Sequence, residues 1–209
     1  MIKLHHLNKS RSQRIIWLLE ELGQDYQIVP YQRDATTNLA PPELKAIHPL
    51  GKSPVIEDGG LIITESGAIT EHLIEKYAAD RLAPVRGTDD FTQYLQWIHF
   101  AESSAILPLL LKMFVGKDGA KMNFLDTYAD TEIQKVISYF NAELAGKKYL
   151  VADTLSGADI MMSFIVEILG NTGAIKHFSN IETYAKQLRT HEGYNRAREL
   201  EKDYDKSGA

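Results

Sequence analysis

The sequence feature that most limits the fold is the stretch from Pro54 to Tyr77. Two short apolar runs, Pro54-Val55-Ile56-Glu57 and Leu61-Ile62-Ile63, flank Asp58-Gly59-Gly60. Paired glycines supply the positive φ values a two-residue turn needs, so this reads as a tight β-hairpin. Beyond it, Thr64-Glu65-Ser66-Gly67-Ala68-Ile69 leads into Ile69, Leu73, Ile74 and Tyr77 at helical spacing. A strand that runs straight into a helix leaves unpaired N–H groups at a partly positive helix start, a setting suited to a carboxylate. Glu65 and Ser66 add an acid and a hydroxyl there. Such a corner suits a small zwitterion, with N–H groups and Ser66 on its carboxylate and Glu65 on its ammonium. The alternative is a plain helix cap worth about 1 kcal/mol.

The elements before the hairpin extend this unit. Ile2 to Leu7 reads as a strand, and Ile15, Ile16, Leu18, Leu19 and Leu22 then repeat with helical period. Ser10 and Gln13 have capping-box spacing, which makes Ser10 the expected N-cap, and Gly23 ends the helix. Tyr26 to Tyr31 is a second strand, and short links make this βαβ unit parallel and right-handed. A short helix around Glu43 to Ile47 precedes the hairpin. The order β-α-β-α-β-β-α is an α/β, thioredoxin-like arrangement over residues 1–79.

Pro84 and Gly87 lie in a polar stretch read as a linker, 80–88, and residues 89–209 read as entirely helical. One long helix opens with Phe91, Tyr94, Leu95, Trp97 and Ile98 and runs past Pro108, where a kink is expected. A second covers roughly residues 119–145. Ser156 and Asp159 have capping-box spacing before a helix that is apolar all round, so both are expected to be structural. Two amphipathic helices follow, near residues 181–188 and 193–204. After position 186, Lys and Arg alternate with Glu and Asp as on a solvated face.

Composition excludes several function classes. Net charge is −5 with no basic run, so no electrostatic footprint for nucleic acid is present. With no cysteine there is no disulfide, thiolate metal site or protein thiol nucleophile. The seven histidines show no HxxxH or HExxH spacing, and no metal is expected. The apolar runs read as too short for a membrane span, and the first residues lack a signal-peptide layout. A cytoplasmic protein without membrane or nucleic-acid partners is the expectation.

Taken in order, Ser10-Arg11-Ser12-Gln13-Arg14 before Trp17-Leu18-Leu19-Glu20-Glu21-Leu22-Gly23, His48-Pro49-Leu50-Gly51-Lys52 before Ser53-Pro54, Glu65-Ser66, and the box from Ser156 to Asp159 resemble the cytosolic glutathione transferase family. The resemblance spans essentially the whole chain and is nearest to bacterial serine-type members. It implies that Pro54 is a cis-proline presenting the backbone of Ser53 to the cysteinyl part of glutathione. It implies too that Glu65 and Ser66 hold the γ-glutamyl end and that Lys52 meets the glycine carboxylate.

A free thiol ionises near pH 8.5, so glutathione needs a group that favours its thiolate. The resemblance assigns that role to Ser10 at a helix N-terminus, with Ser12 or a backbone N–H as alternatives. It implies an electrophile pocket lined by Phe100, Ser103, Ser104, Leu107 and Phe114, residues that core packing explains equally well, and it implies a homodimer. The reaction expected is thiolate attack on small hydrophobic electrophiles, with glutathione as co-substrate. A non-catalytic binding or assembly module, and a glutathione-dependent peroxidase or disulfide reductase, are the alternatives.

Overall fold

The computed structural model describes residues 1–78, 80–119 and 123–206. Contacts divide the chain into two units, Met1–Ala83 with Leu188–Ala209, and Pro84–Gln187. The break at Ala83 falls inside the expected linker. The end of the first domain at Ala79, and residues 120–122 of the second long helix, lie outside the described residues.

In the first unit, β1 (Ile2–Leu7), β2 (Tyr26–Tyr31), β3 (Val55–Asp58) and β4 (Leu61–Thr64) form one sheet in the order β2-β1-β3-β4. β1 pairs parallel with β2, while β3 is antiparallel to both β1 and β4. Pro30 sits in β2, an edge strand, where its missing N–H costs no ladder bond. Helices α1 (Ser12–Leu22), α2 (Glu43–Ile47) and α3 (Ser66–Tyr77) complete the thioredoxin-like order. The hairpin turn is made by Gly59 and Gly60, at φ 60° and 89°.

Asp58 ties this hairpin to α3. Its carboxylate accepts hydrogen bonds from Tyr77 Oη at 2.7 Å and from Lys76 Nζ and His72 Nε2 at 2.8 Å each. Burial works against its ionisation, but the bonds from Lys76, Tyr77 and His72 outweigh that and hold the carboxyl at about 2. A carboxyl whose pKa is depressed by folding adds stability above its unfolded pKa and loses it as pH falls through the folded value. Stability measured by urea unfolding is therefore expected to fall by about 2 kcal/mol between pH 5 and pH 2 on account of this group. Asp58→Asn should remove that part of the acid sensitivity; an unchanged pH slope would show that the cluster is energetically silent.

The last helix departs from the sequence-based division. α9 (Glu192–Tyr204) belongs to the first unit and packs on α1, although residues 89–209 read as one helical domain. Trp17 explains the difference. Fully buried, it meets Tyr194 edge-on at 4.9 Å and donates Nε1–H to Glu21 at 2.8 Å. The helices approach closely because Gly193 has no side chain: a Cβ there would lie 3.0 Å from Cβ of Glu20. The face of α9 read as solvated is thus only its outer side, since Tyr194, Ala197 and Leu200 are buried.

The second unit contains α4 (Asp89–Phe100), α5 (Ile106–Asp118), α6 (Asn123–Glu143), α7 (Gly157–Asn171) and most of α8 (Ser179–Leu188). The break expected at Pro108 takes another form. Residues Ala101–Ala105 form a π-helical turn joining α4 to α5. Proline lacks an N–H and its ring crowds the carbonyl four residues back, here Ser104, so the wider turn lies where the helical ladder would be interrupted. By length and composition alone, the run Asp89–Asp118 would suit a membrane span, contrary to the sequence expectation. Within the unit, Tyr94, Trp97, Ile98, Ala101, Ala105 and Ile106 are buried, and the run packs on α6 and α7.

Candidate active site

The site is built at the end of β1. Ser10 lies in the turn leading to α1, but it is not the N-cap that its spacing suggests. Arg11 holds that position, without a side-chain capping bond, and Ser10 Oγ instead accepts the N–H of Ser12 at 3.2 Å. The two serine hydroxyls lie 2.7 Å apart. Ser12 Oγ further donates to Leu7 O at 3.3 Å or pairs with His6 Nδ1 at 2.8 Å. Ser12 is wholly buried at 0% exposure, whereas Ser10 retains 6%. Ser10 is therefore the less deeply buried of the two serines.

The loop ahead of β3 comes to the same strand end. The Ser53–Pro54 peptide is cis. Ser53 Oγ donates to His5 O at 2.8 Å and accepts the Leu7 N–H at 3.2 Å. Leu7 is thus held by Ser53 through its N–H and approached by Ser12 through its carbonyl, which brings the two serine segments together.

Glu65 and Ser66 join them through the hairpin register. Val55 faces Thr64, so Pro54 and Glu65 stand one residue beyond that pair on neighbouring strands. Glu65 occupies the N-cap of α3 with φ 64° and ψ 113°, a conformation rare for a residue with a side chain, and its side chain is exposed. Ser66 is buried, and its carbonyl accepts the Thr70 hydroxyl at 2.8 Å. Lys52 is exposed two residues before Pro54. The cis peptide of Ser53–Pro54 and the start of α3 at Glu65 thus lie side by side through the β3–β4 register, and Ser53 ties that corner to the end of β1 from which the Ser10–Ser12 turn leaves.

The other predicted residues belong to the second unit. Ser103, Ser104, Leu107 and Phe114 are exposed on the α4–α5 run, and Ser103 Oγ donates to His99 O at 2.8 Å. Phe100 differs, packing edge-on against Trp97 at 5.2 Å and Tyr139 at 5.6 Å. Asp159 is fully buried, and the capping box with Ser156 is present. Among the described residues, no group of three or more His, Cys, Asp or Glu is arranged to hold a metal ion.

Two side chains behind the serines are absent from the sequence reading. His6 is wholly buried, and its Nε2 lies 3.4 Å from Glu201 Oε2 on α9. Glu201 Oε1 accepts the Lys9 N–H at 2.6 Å. Burial lowers the His6 pKa to about 4 and raises that of Glu201 to about 7. The only local signal was a histidine on the strand face shared with Ile2 and Leu4.

Fold and site together define a two-unit protein whose thioredoxin-like half brings Ser10, Ser12 and Ser53 to the end of β1. Residues 1–75 match the glutathione S-transferase N-terminal domain, and residues 104–191 match the C-terminal domain of the same family. Glutathione S-transferase 1 of Saccharomyces cerevisiae is 31% identical over 95% of this chain and 94% of its own. A crystal structure of a glutathione S-transferase from Actinobacillus pleuropneumoniae is 36% identical over 97% of this chain and 93% of its own, with a TM-score of 0.87. A glutathione transferase homologue from Lodderomyces elongisporus, crystallised with two glutathione molecules per subunit, shares the fold at 20% identity and a TM-score of 0.82, over 95% of this chain and 98% of its own. The chain belongs to the glutathione S-transferase family.

Proposed function

We propose that this glutathione transferase binds glutathione at the corner formed by Ser53, Pro54, Glu65 and Ser66 and activates its thiol through Ser10. Glu65 takes the γ-glutamyl ammonium, Ser66 and the N–H groups starting α3 take the adjacent carboxylate, and the backbone of Ser53 pairs with the cysteinyl segment. Lys52 meets the glycine carboxylate. The Ser10 hydroxyl donates to sulfur beside the N-terminus of α1, where hydrogen bonding and the helix dipole both favour the anion. The thiolate then attacks an electrophilic carbon of a small hydrophobic molecule, forming a C–S bond as a leaving group departs with its electron pair or, in an addition, as a proton is taken up at the neighbouring atom. Assembly as a homodimer goes with this reading.

The observation that carries it is the difference between the two serines. Ser12 is wholly buried with His6, Leu7 and Ser10 around its hydroxyl, whereas Ser10 is slightly less buried and has only the hydroxyl and N–H of Ser12 beside its own hydroxyl. Titration of thiolate absorbance in the glutathione complex tests the assignment. The parent should ionise bound thiol at least one pH unit below the free thiol, which corresponds to about 1.4 kcal/mol of preference for the anion. Ser10→Ala should return that pKa toward about 8.5 while glutathione affinity changes only a few-fold. The same loss on Ser12→Ala, with Ser10→Ala unaffected, would transfer the role to Ser12.

A further inference from the structure

The buried atoms behind Ser10 form a continuous polar line through Ser12 Oγ and the two ring nitrogens of His6 to Glu201 Oε2. Its far end is unusual. Among the described residues, His6 Nε2 and Glu201 Oε2 are buried and have no other hydrogen-bond partner, yet they face each other at 3.4 Å. A buried polar atom without a partner costs about 1–3 kcal/mol, so a proton between these two is their natural satisfaction. We propose that His6 and Glu201 are positioning residues for Ser10, the proton they share setting the direction in which the Ser10–Ser12 hydroxyl pair points. This role rests on Ser10 being the thiol activator.

The two proton states have opposite consequences. With the extra proton bound to the pair, Glu201 donates to Nε2 and the His6 hydrogen sits on Nδ1. Nδ1–H then donates to Ser12 Oγ, Ser12 donates to Ser10 Oγ at 2.7 Å in preference to the longer 3.3 Å contact with Leu7 O, and the Ser10 proton is left to point outward. With that proton lost, carboxylate Glu201 draws the His6 hydrogen onto Nε2. Nδ1 becomes an acceptor for the Ser12 proton, and the 2.7 Å contact is satisfied by Ser10 donating inward. The Ser12 N–H reaches Ser10 Oγ in both states, so it does not choose between them.

The surroundings put the exchange near neutrality. Burial raises the Glu201 pKa to about 7; the Lys9 N–H opposes that, Asp205 adds to it, and the charges of Lys9 and Arg33 oppose it. Burial keeps His6 uncharged in this range, with Tyr204 as its ring neighbour at 5.9 Å. Lys9 is itself paired with Asp205 at 3.2 Å. A raised carboxyl pKa means that the outward arrangement is populated below about pH 7 and lost above it.

The ring-nitrogen signals of His6 in ¹⁵N-labelled parent protein, followed from pH 5.5 to 8.5, test the proposal without any variant. The hydrogen should move from Nδ1 to Nε2 with a midpoint near neutrality. Since binding linkage is reciprocal, saturating reduced glutathione should raise that midpoint by about half a pH unit or more, roughly threefold in proton affinity, whereas S-methylglutathione should not. Glu201→Gln should abolish the movement. A single His6 tautomer throughout, or a midpoint indifferent to reduced glutathione, would overturn the positioning role. The parallel Ser10→Ala titration separates the two failures. If Ser10→Ala leaves the bound thiol pKa unchanged, serine activation falls and takes this role with it. If the thiol pKa moves but the His6 midpoint ignores glutathione, only the positioning role falls.

Discussion

Glu65→Ala is expected to weaken glutathione binding by about 100-fold, since a charge-assisted hydrogen bond contributes about 1.5–3 kcal/mol. The reasoning starts from the backbone. Glu65 holds φ 64° at the N-cap of α3, and a residue with a side chain in such a conformation costs about 1–3 kcal/mol unless its surroundings impose it. The carboxylate is exposed, and the strand register puts it one step beyond the Val55–Thr64 pair, beside Pro54. An exposed anion on a strained turn adds little to packing, so the variant should melt within about 2 °C of the parent, surface changes away from special features being nearly neutral. Calorimetric titration with reduced glutathione measures the loss. Affinity within threefold of the parent would remove Glu65 from the site.

The largest stability effect is expected at Asp159, far along the chain from these residues. Its carboxylate is fully buried and accepts four hydrogen bonds, from the Ser156 N–H and hydroxyl at 2.9 and 3.0 Å, the Leu150 N–H at 2.9 Å, and Tyr184 Oη at 2.7 Å. Burial pushes its pKa up, and those bonds push the other way. Asp159→Ala would leave these donors without their acceptor around the start of α7, at a cost of about 3–5 kcal/mol. For a chain of this size that corresponds to a fall in Tm of roughly 10 °C or more. Glutathione affinity of the protein that remains folded should be unchanged. A variant as stable as the parent but inactive would instead assign Asp159 to the chemistry.

How legible these features are in sequence follows from how local each one is. The hairpin is plain because Gly59-Gly60 and the apolar runs beside it settle it within ten residues. The capping box of α7 is equally local, with both partners three positions apart. Ser10 shows the limit of such reasoning. Its spacing to Gln13 suggests a cap, but its hydroxyl takes the Ser12 N–H instead and the helix starts one residue further on, with Arg11 at the N-cap. The π-helical turn is likewise hidden, since Pro108 signals a disturbance without saying how the helix absorbs it. Contacts between distant segments leave no periodic trace. Trp17 with Tyr194, and His6 with Glu201, each join opposite ends of the chain, so neither the place of α9 nor the line behind Ser12 is readable from spacing.

The return of residues from Leu188 onward to the first unit has a consequence for biosynthesis. As the polypeptide emerges from the ribosome, the sheet and α1 are available early, but the partner that covers Trp17 is still untranslated, and the whole of Pro84–Gln187 must appear first. During that interval Trp17 lacks its edge-on contact with Tyr194, and the side of α1 that α9 covers lacks that partner. The first unit therefore completes its packing of α9 on α1 only after the intervening second unit has been synthesised.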